Sequence, residues 1–255
     1  MFSWDQRICR AEQLAAASPA AAEILTFYKE ITSFQKSVYE MVGSSADGQT
    51  APGLLAAYFT PLLSLITRIA PAPLASAART LRDNGRTLEE LLHTSWQHAP
   101  AAGSAGNVEE IFFVRALLQP YMEALAKRAI AAGNHTGAAC PFCAERPQVA
   151  VLRPEGNGAK RSLLCALCST EWEFRRIVCP NCGEEHKDHL PVYSAAEFPH
   201  IRVEACDTCR TYIKSVDLSK DGLAVPVVDD LASIALNVWA AENGYACLQV
   251  SLLGL

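Results

Sequence analysis

Four Cys-x-x-Cys pairs within one seventy-residue stretch constrain this chain of 255 residues more than any other feature. The spacing lets two sulfurs turn onto one ion, and two such pairs complete a tetrahedral thiolate site. The pattern therefore predicts two metal sites, each closed by four thiolates. The eight predicted ligands are Cys140, Cys143, Cys165, Cys168, Cys179, Cys182, Cys206 and Cys209.

The pairs form a repeat, since the first maps onto the third at an offset of 39 and the second onto the fourth at 41. This repeat predicts that the first pair shares an ion with the second and the third with the fourth, with crossed pairing as the alternative. Each module of about forty residues is too small for a hydrophobic core alone, so metal binding is expected to supply most of its folding free energy.

The chain between the cysteine pairs has the pattern of short strands, at 148–152, 161–164, 172–178, 201–205 and 212–216. Gly183 directly follows the third pair, where a left-handed residue is expected. Each module should therefore be a small hairpin sheet clipped by metal.

Disulfides and buried free thiols are the alternatives to metal binding. Residues 1–10 have no apolar segment typical of an export signal, so we expect a cytoplasmic protein, where disulfides are rare. No apolar run is long enough to insert into a membrane. Cys9 and Cys247 lie outside the pattern and are read as ordinary thiols.

Residues 1–132 are rich in alanine and leucine and show helical periodicity. Ser18-Pro19 predicts one helix start, and Thr87 with Glu90 forms a capping box for another. We expect an α+β multidomain protein: a helical domain over 1–132, a linker over 133–139, and rubredoxin-like or zinc-ribbon-like modules over 140–178 and 179–255. The last module should end in a helix capped by Asp229 or Asp230.

Several segments resemble the FdhE family of formate dehydrogenase accessory proteins. The resemblance is strongest over 140–245, and its motifs are CALCSTEW at 165–172, RR at 175–176, CPNCG at 179–183, EACDTCRTYIK at 204–214 and DDLAS at 229–233. It implies a helical domain followed by two rubredoxin-like modules, each able to hold iron. It also implies a maturation factor that acts in the cytoplasm and contacts the catalytic subunit of a respiratory formate dehydrogenase before export.

A zinc-ribbon protein that binds nucleic acid is one alternative. Residues 140–216 contain ten Lys or Arg and ten Asp or Glu, and each four-thiolate site with a divalent ion adds about −2. The chain as a whole carries a net charge of −5, whereas phosphate binding requires a clustered positive face. The balance of charge therefore disfavours nucleic acid as a partner.

A site closed by four thiolates leaves no open position for substrate, so we expect a protein that is not an enzyme. Two metal ions are predicted per chain, iron or alternatively zinc. An iron-thiolate protein that changes oxidation state or responds to oxygen is the second alternative. The candidates for partner contact are polar residues that belong to the resemblance, with the alternative that they only brace the modules: Arg175, Arg176, Asp207, Lys214 and Asp229.

Overall fold

The computed structural model describes residues 2–44, 51–97, 108–129, 135–156 and 158–255, and only the backbone of 51, 52 and 94–97. The part before the cysteine pairs is helical, as expected. Part of the predicted linker, residues 133 and 134, lies outside the described ranges. The helices in this part are α1 (Trp4–Ala17), α2 (Pro19–Ser44), α3 (Ala51–Ile69), α4 (Ala72–Asp83), α5 (Leu88–Gln97) and α6 (Val108–Arg128).

The predicted helix starts are present. Helix α2 begins at Pro19, where the ring fixes φ at a helical value and no amide hydrogen is lost from the ladder. Before α5, the amide of Thr87 donates to Glu90 (2.9 Å) and the amide of Glu90 donates to the Thr87 hydroxyl (3.2 Å). Helices α2 to α6 then share one buried core, which includes Ile31 and Leu117.

The cysteine-rich part forms one continuous sheet. Its strands are β1 (Pro147–Glu155), β2 (Gly158–Cys165), β3 (Glu171–Glu173), β4 (Val192–Ser194), β5 (Ile201–Cys206), β6 (Thr211–Asp217) and β7 (Ala246–Cys247). The order is β3-β2-β1-β6-β5-β4, and β7 pairs with the start of β6. The pairs β1-β2, β2-β3, β4-β5 and β5-β6 are antiparallel, whereas β1 with β6 and β6 with β7 pair in parallel.

The parallel pairing of β1 with β6 was not foreseen in the sequence. It joins two modules that the repeat describes as separate hairpin sheets. Val149 lies opposite Lys214 and Leu152 opposite Asp217, so strand β6 of the second module extends the sheet of the first. The two modules therefore share one sheet and are not structurally independent.

The prediction that Asp229 or Asp230 caps the last helix is wrong. Helix α7 (Pro226–Ala232) begins three residues before Asp229, because Pro226 occupies its first turn. The chain then turns at Ser233 into α8 (Ile234–Glu242). This helix ends just before Gly244, which has a left-handed φ of 77°. Both carboxylates are therefore inside a helix and buried.

The two faces of the sheet are covered unequally. One face, with Val149, Val203 and Val216, packs against α8 residues such as Leu236 and Ala240. The other face is covered over β1 and β2 by the first two cysteine pairs with Trp172 and Phe174. Helix α7 also packs on α1 and α2 through Leu231 and Val228, so the helical part and the sheet share a core.

Candidate metal centres

The first centre brings together the sulfurs of Cys140, Cys143, Cys165 and Cys168. Cys143 Sγ lies 3.4 Å from Cys165 Sγ and 3.5 Å from Cys168 Sγ, and Cys140 Sγ also lies 3.5 Å from Cys168 Sγ. The edge of a tetrahedron whose corners are about 2.3 Å from its centre is about 3.8 Å. The four sulfurs are thus spaced to fit one ion of the size of zinc or iron.

The second centre brings together Cys179, Cys182, Cys206 and Cys209. Cys179 Sγ lies 3.7 Å from Cys209 Sγ, and Cys182 Sγ lies 3.7 Å from Cys206 Sγ. In each centre all four sulfurs lie within 4.8 Å of one another. The structure therefore places the first pair with the second and the third with the fourth, and it does not place crossed pairs together.

Backbone amides point at the sulfurs in the turns. Phe142 donates to Cys140 Sγ (3.4 Å), Leu167 to Cys165 Sγ (3.3 Å) and Asn181 to Cys179 Sγ (3.4 Å). An amide donor stabilises a negatively charged acceptor more than a neutral one. These turns therefore favour the thiolate form, which is the form that binds metal.

A left-handed residue stands at the same place after every pair. Gly183 has the left-handed φ predicted for it (78°). The equivalent residues of the other turns are Ala144 (60°), Ser169 (54°) and Arg210 (55°). A residue with a Cβ is strained in this region by about 1 to 2 kcal/mol. Only the repeat could have indicated these three positions, because their residue types do not favour the conformation.

A threonine hydroxyl lies beside the last sulfur of each centre. Thr170 Oγ1 is 3.1 Å from Cys168 Sγ, and Thr211 Oγ1 is 3.0 Å from Cys209 Sγ. Burial raises the pKa of Cys209, but hydrogen bonds with Thr211, Asn181 and a neighbouring thiol outweigh it and lower that pKa to about 6. The site thus readily holds a thiolate at neutral pH.

The two centres differ in exposure. In the first, three sulfur-bearing residues are buried and only Cys143 is half-buried, under Trp172 and Phe174. The Trp172 indole donates to the carbonyl of Gly137 (3.1 Å) and is held over this centre. In the second, Cys182 is exposed and Cys209 half-buried. Solvent therefore reaches the second centre more easily than the first.

Helix α1 is attached to the metal-binding part by two buried arginines that sequence reasoning did not single out. Arg7 donates to Glu123 of α6 (2.8 Å) and to Ser169 Oγ (3.2 Å), which lies directly after the second cysteine pair. Arg10 donates to Asp229 through Nε (3.0 Å) and Nη2 (2.5 Å). The available signal was their spacing of three residues on the helix face that also carries Trp4 and Ala11.

A third cluster of potential metal ligands lies in the same region. His200, Asp221 and Asp229 come together, with His200 Nε2 2.9 Å from Asp229 Oδ1. The guanidinium of Arg10 bonds both carboxylates, at 2.7 Å to Asp221 and 2.5 Å to Asp229. A cation already neutralises these carboxylates, so the cluster is an ion-pair network that docks α1.

The candidates for partner contact fall into two groups. Arg175 and Arg176 are exposed, and Asp207 is half-exposed beside Tyr245, whose hydroxyl donates to it (2.5 Å). Lys214 is 3% exposed and donates to Asp230, while Asp229 is 1% exposed beneath Arg10. The structure thus places the first three at the surface and gives the last two a role inside the fold.

No helix in the described part of the chain is long and apolar enough to cross a membrane.

Comparison with known families matches the two metal-binding modules. The family described as the FdhE central domain matches residues 139–176, and the FdhE C-terminal domain matches residues 177–253. A "Protein FdhE homolog" from Aquifex aeolicus is 38% identical over 116 residues, 45% of this chain and 41% of that protein. One from Pseudomonas aeruginosa is 31% identical over 211 residues, 76% of this chain and 66% of that protein.

The matched part spans about two fifths to two thirds of the length of these relatives. A solved structure extends the similarity to the helical part. The crystal structure of the FdhE protein from Pseudomonas aeruginosa superposes with a TM-score of 0.77 at 25% identity. The superposition covers 98% of this chain and 95% of that chain, so the arrangement of helices and sheet is common to both.

Proposed function

Because the chain belongs to the FdhE family, we propose that it is an accessory and maturation factor for a respiratory formate dehydrogenase. It binds the catalytic subunit of that enzyme in the cytoplasm, as a chaperone, and is required for its activity. It is not itself an enzyme. The observation that carries this proposal is the agreement in fold with an FdhE protein over nearly the whole of both chains.

Two metal ions per chain are part of the proposal. The residues that would hold them are the eight paired cysteines, whose sulfurs already have the spacing of two tetrahedra. When bound, such an ion links distant turns of a small fold, and iron can in addition change oxidation state without opening its shell. We propose iron in the native protein, with zinc as the alternative, because four thiolates accept both ions.

The test of the proposed function uses a Pseudomonas aeruginosa strain that lacks its own FdhE protein. This chain, expressed there with an affinity tag during growth on formate and nitrate, should restore formate dehydrogenase activity and should co-purify with the catalytic subunit. Mass spectrometry identifies the co-purified proteins. Restoration without co-purification would refute the binding step, and the absence of both would refute the proposed function.

The metal is tested separately from the partner. The protein should contain two metal ions per chain, and anaerobically purified native protein should show thiolate-to-iron absorption after oxidation. Protein overproduced in another host is a poor source, since zinc then occupies thiolate sites by supply. Colourless native protein that contains only zinc would exclude the redox alternative, and one ion per chain would contradict the two-centre arrangement.

A further inference from the structure

A groove runs across the part of the sheet that the helices leave open. It lies on the face opposite α8, over strands β6, β5 and β4, and has a volume of about 490 Å³. Alternate residues of β5 show why it is open: Ile201 and Val203 are buried in the core under α8, while Arg202 and Glu204 on the other face are only half-buried. Cys179, Pro180 and Cys206 form its wall, so the second centre borders it.

The floor and one side of the groove are apolar. Leu152, Ile213 and Leu248 lie in the floor. Ile177 and Val192 line it with 57% and 55% of their surface exposed, unusually high for large apolar side chains. Exposed apolar residues that line one depression with a charged rim are typical of a protein-protein interface.

The rim of the groove carries positive charge. Besides the thiolates of Cys179 and Cys206, the lining residues that bear a charge are Arg161, Arg176, Lys187, Arg202 and Glu204. The carboxylate of Glu204 is already paired, since its Oε2 lies 2.7 Å from the buried Arg161.

The remaining cations are poorly compensated. No ion pair involving Arg176 or Lys187 occurs among the residues that the structure describes, and Arg176 makes only a long bond to the carbonyl of Ala159 (3.4 Å). Arg202 lies 3.6 Å from Asp217, and within the described ranges its buried Nε has no hydrogen-bond partner. A partner that fills this groove should therefore bring carboxylates to the rim as well as apolar side chains to the floor.

We propose that this groove is the docking site for a segment of the partner that combines apolar side chains with two or more Asp or Glu residues. The inference rests on the proposed function for the identity of the partner, the formate dehydrogenase catalytic subunit. The apolar side chains lie against Ile177 and Val192, and the carboxylates pair with Arg176, Lys187 and Arg202. The groove differs from a nucleic-acid site, which has a clustered basic face, because its floor is apolar and its cations are few.

The test places a photocrosslinking amino acid at Ile177 or at Val192 in the full chain, expressed in the complemented Pseudomonas aeruginosa strain. A third crosslinker at Val238, which is 54% exposed on α8, reports non-specific contacts. The charge reversal Arg176→Glu with Lys187→Glu is added to the groove variants. The matched control is Arg79→Glu with Arg82→Glu, two exposed arginines of helix α4. Metal content and thermal unfolding show that each variant is folded.

The expected result is crosslinks from positions 177 and 192, but not 238, to a segment rich in Asp or Glu and apolar residues in the catalytic subunit. The groove reversal should reduce their yield about tenfold or more, and the α4 reversal should leave it unchanged. The same crosslinks to such a segment of a different protein would support the groove and refute the proposed partner.

Other outcomes overturn the inference. If the catalytic subunit co-purifies but positions 177 and 192 do not crosslink, the groove is not the docking site and the proposed function stands. Crosslinks to a second copy of the chain, to a segment without carboxylates, or with a yield that the groove reversal leaves unchanged also overturn it. If neither crosslinks nor co-purification occur, both proposals fail.

Discussion

Removing the charge of Asp229 should weaken the attachment of helix α1 to the metal-binding part. In the variant Asp229→Asn the side chain keeps its shape, but Arg10 loses a carboxylate that bonds it at 2.5 and 3.0 Å. Both partners are buried, with 1% and 10% of their side chains exposed. Breaking a buried pair by removing one charge costs about 3 to 5 kcal/mol.

The structure indicates the lower end of that range. Arg10 retains a second carboxylate in Asp221 at 2.7 Å, which still neutralises most of the guanidinium charge. The neutralisation is incomplete because Asp221 is 29% exposed. We therefore expect Asp229→Asn to lower the free energy of unfolding by about 3 kcal/mol. The matched control is Asp5→Asn, since Asp5 of α1 pairs with Lys36 of α2 at 2.6 Å but is 74% exposed. That change should cost much less, because an ion pair between exposed side chains contributes little to stability.

Urea unfolding measures the free energies, and hydrogen exchange of the α1 amides shows where protection is lost. The double variant Arg10→Met with Asp229→Asn should be more stable than the sum of the single changes predicts, because it removes both members of the buried pair together. Equal costs for Asp229→Asn and Asp5→Asn, or strictly additive single changes, would show that the buried pair does not hold α1 in place.

Three further predictions concern the turns, the metal and acid. Ala144→Gly should raise the free energy of unfolding by about 1 kcal/mol, and Gly183→Ala should lower it by a similar amount, since both residues have a left-handed φ. Changes of the same sign in the free energy of urea unfolding would contradict this. A chelator should remove the metal of the second centre first, because Cys182 is exposed, and then expose the sheet amides to hydrogen exchange while α2 to α6 stay protected. Uniform exchange in helices and sheet would disprove it. Burial raises the pKa of Glu171, but hydrogen bonds with Arg153 and Ser162 outweigh it and lower that pKa overall. Its stabilisation is therefore complete above about pH 4.3 and is lost as the pH falls through the lowered value, and Arg153→Met should flatten this acid dependence of the unfolding free energy.

The local features of this fold could be predicted because they depend on neighbours in sequence. Pro19 and the Thr87–Glu90 pair start helices through contacts within one turn, and the structure has both. The cysteine spacing likewise specifies each turn. The repeat indicated which turns share a centre, and the sulfurs are grouped in that way.

The features that could not be predicted depend on distant parts of the chain. Strand β4 has only three residues, too few to show an alternating pattern, and it forms because β5 is beside it. Arg10 resembles any surface arginine in the sequence, and only its contact with Asp229, more than two hundred residues later, makes it part of the core. Lys214 and Asp229 belong to motifs that suggested an exposed contact surface, yet these motifs include residues that hold the fold together.

The parallel pairing of β1 with β6 also has a consequence for synthesis on the ribosome. Val149 pairs with Lys214, so one edge of β1 has no partner until about 65 more residues have been made. At bacterial elongation rates this interval lasts about 3 to 13 s. During that time the nascent chain presents a strand edge that can pair with another chain. Early capture of a metal ion by the first two cysteine pairs would order the turns on both sides of β1 and β2. The supply of metal during translation should therefore influence how much of the protein aggregates before it is complete.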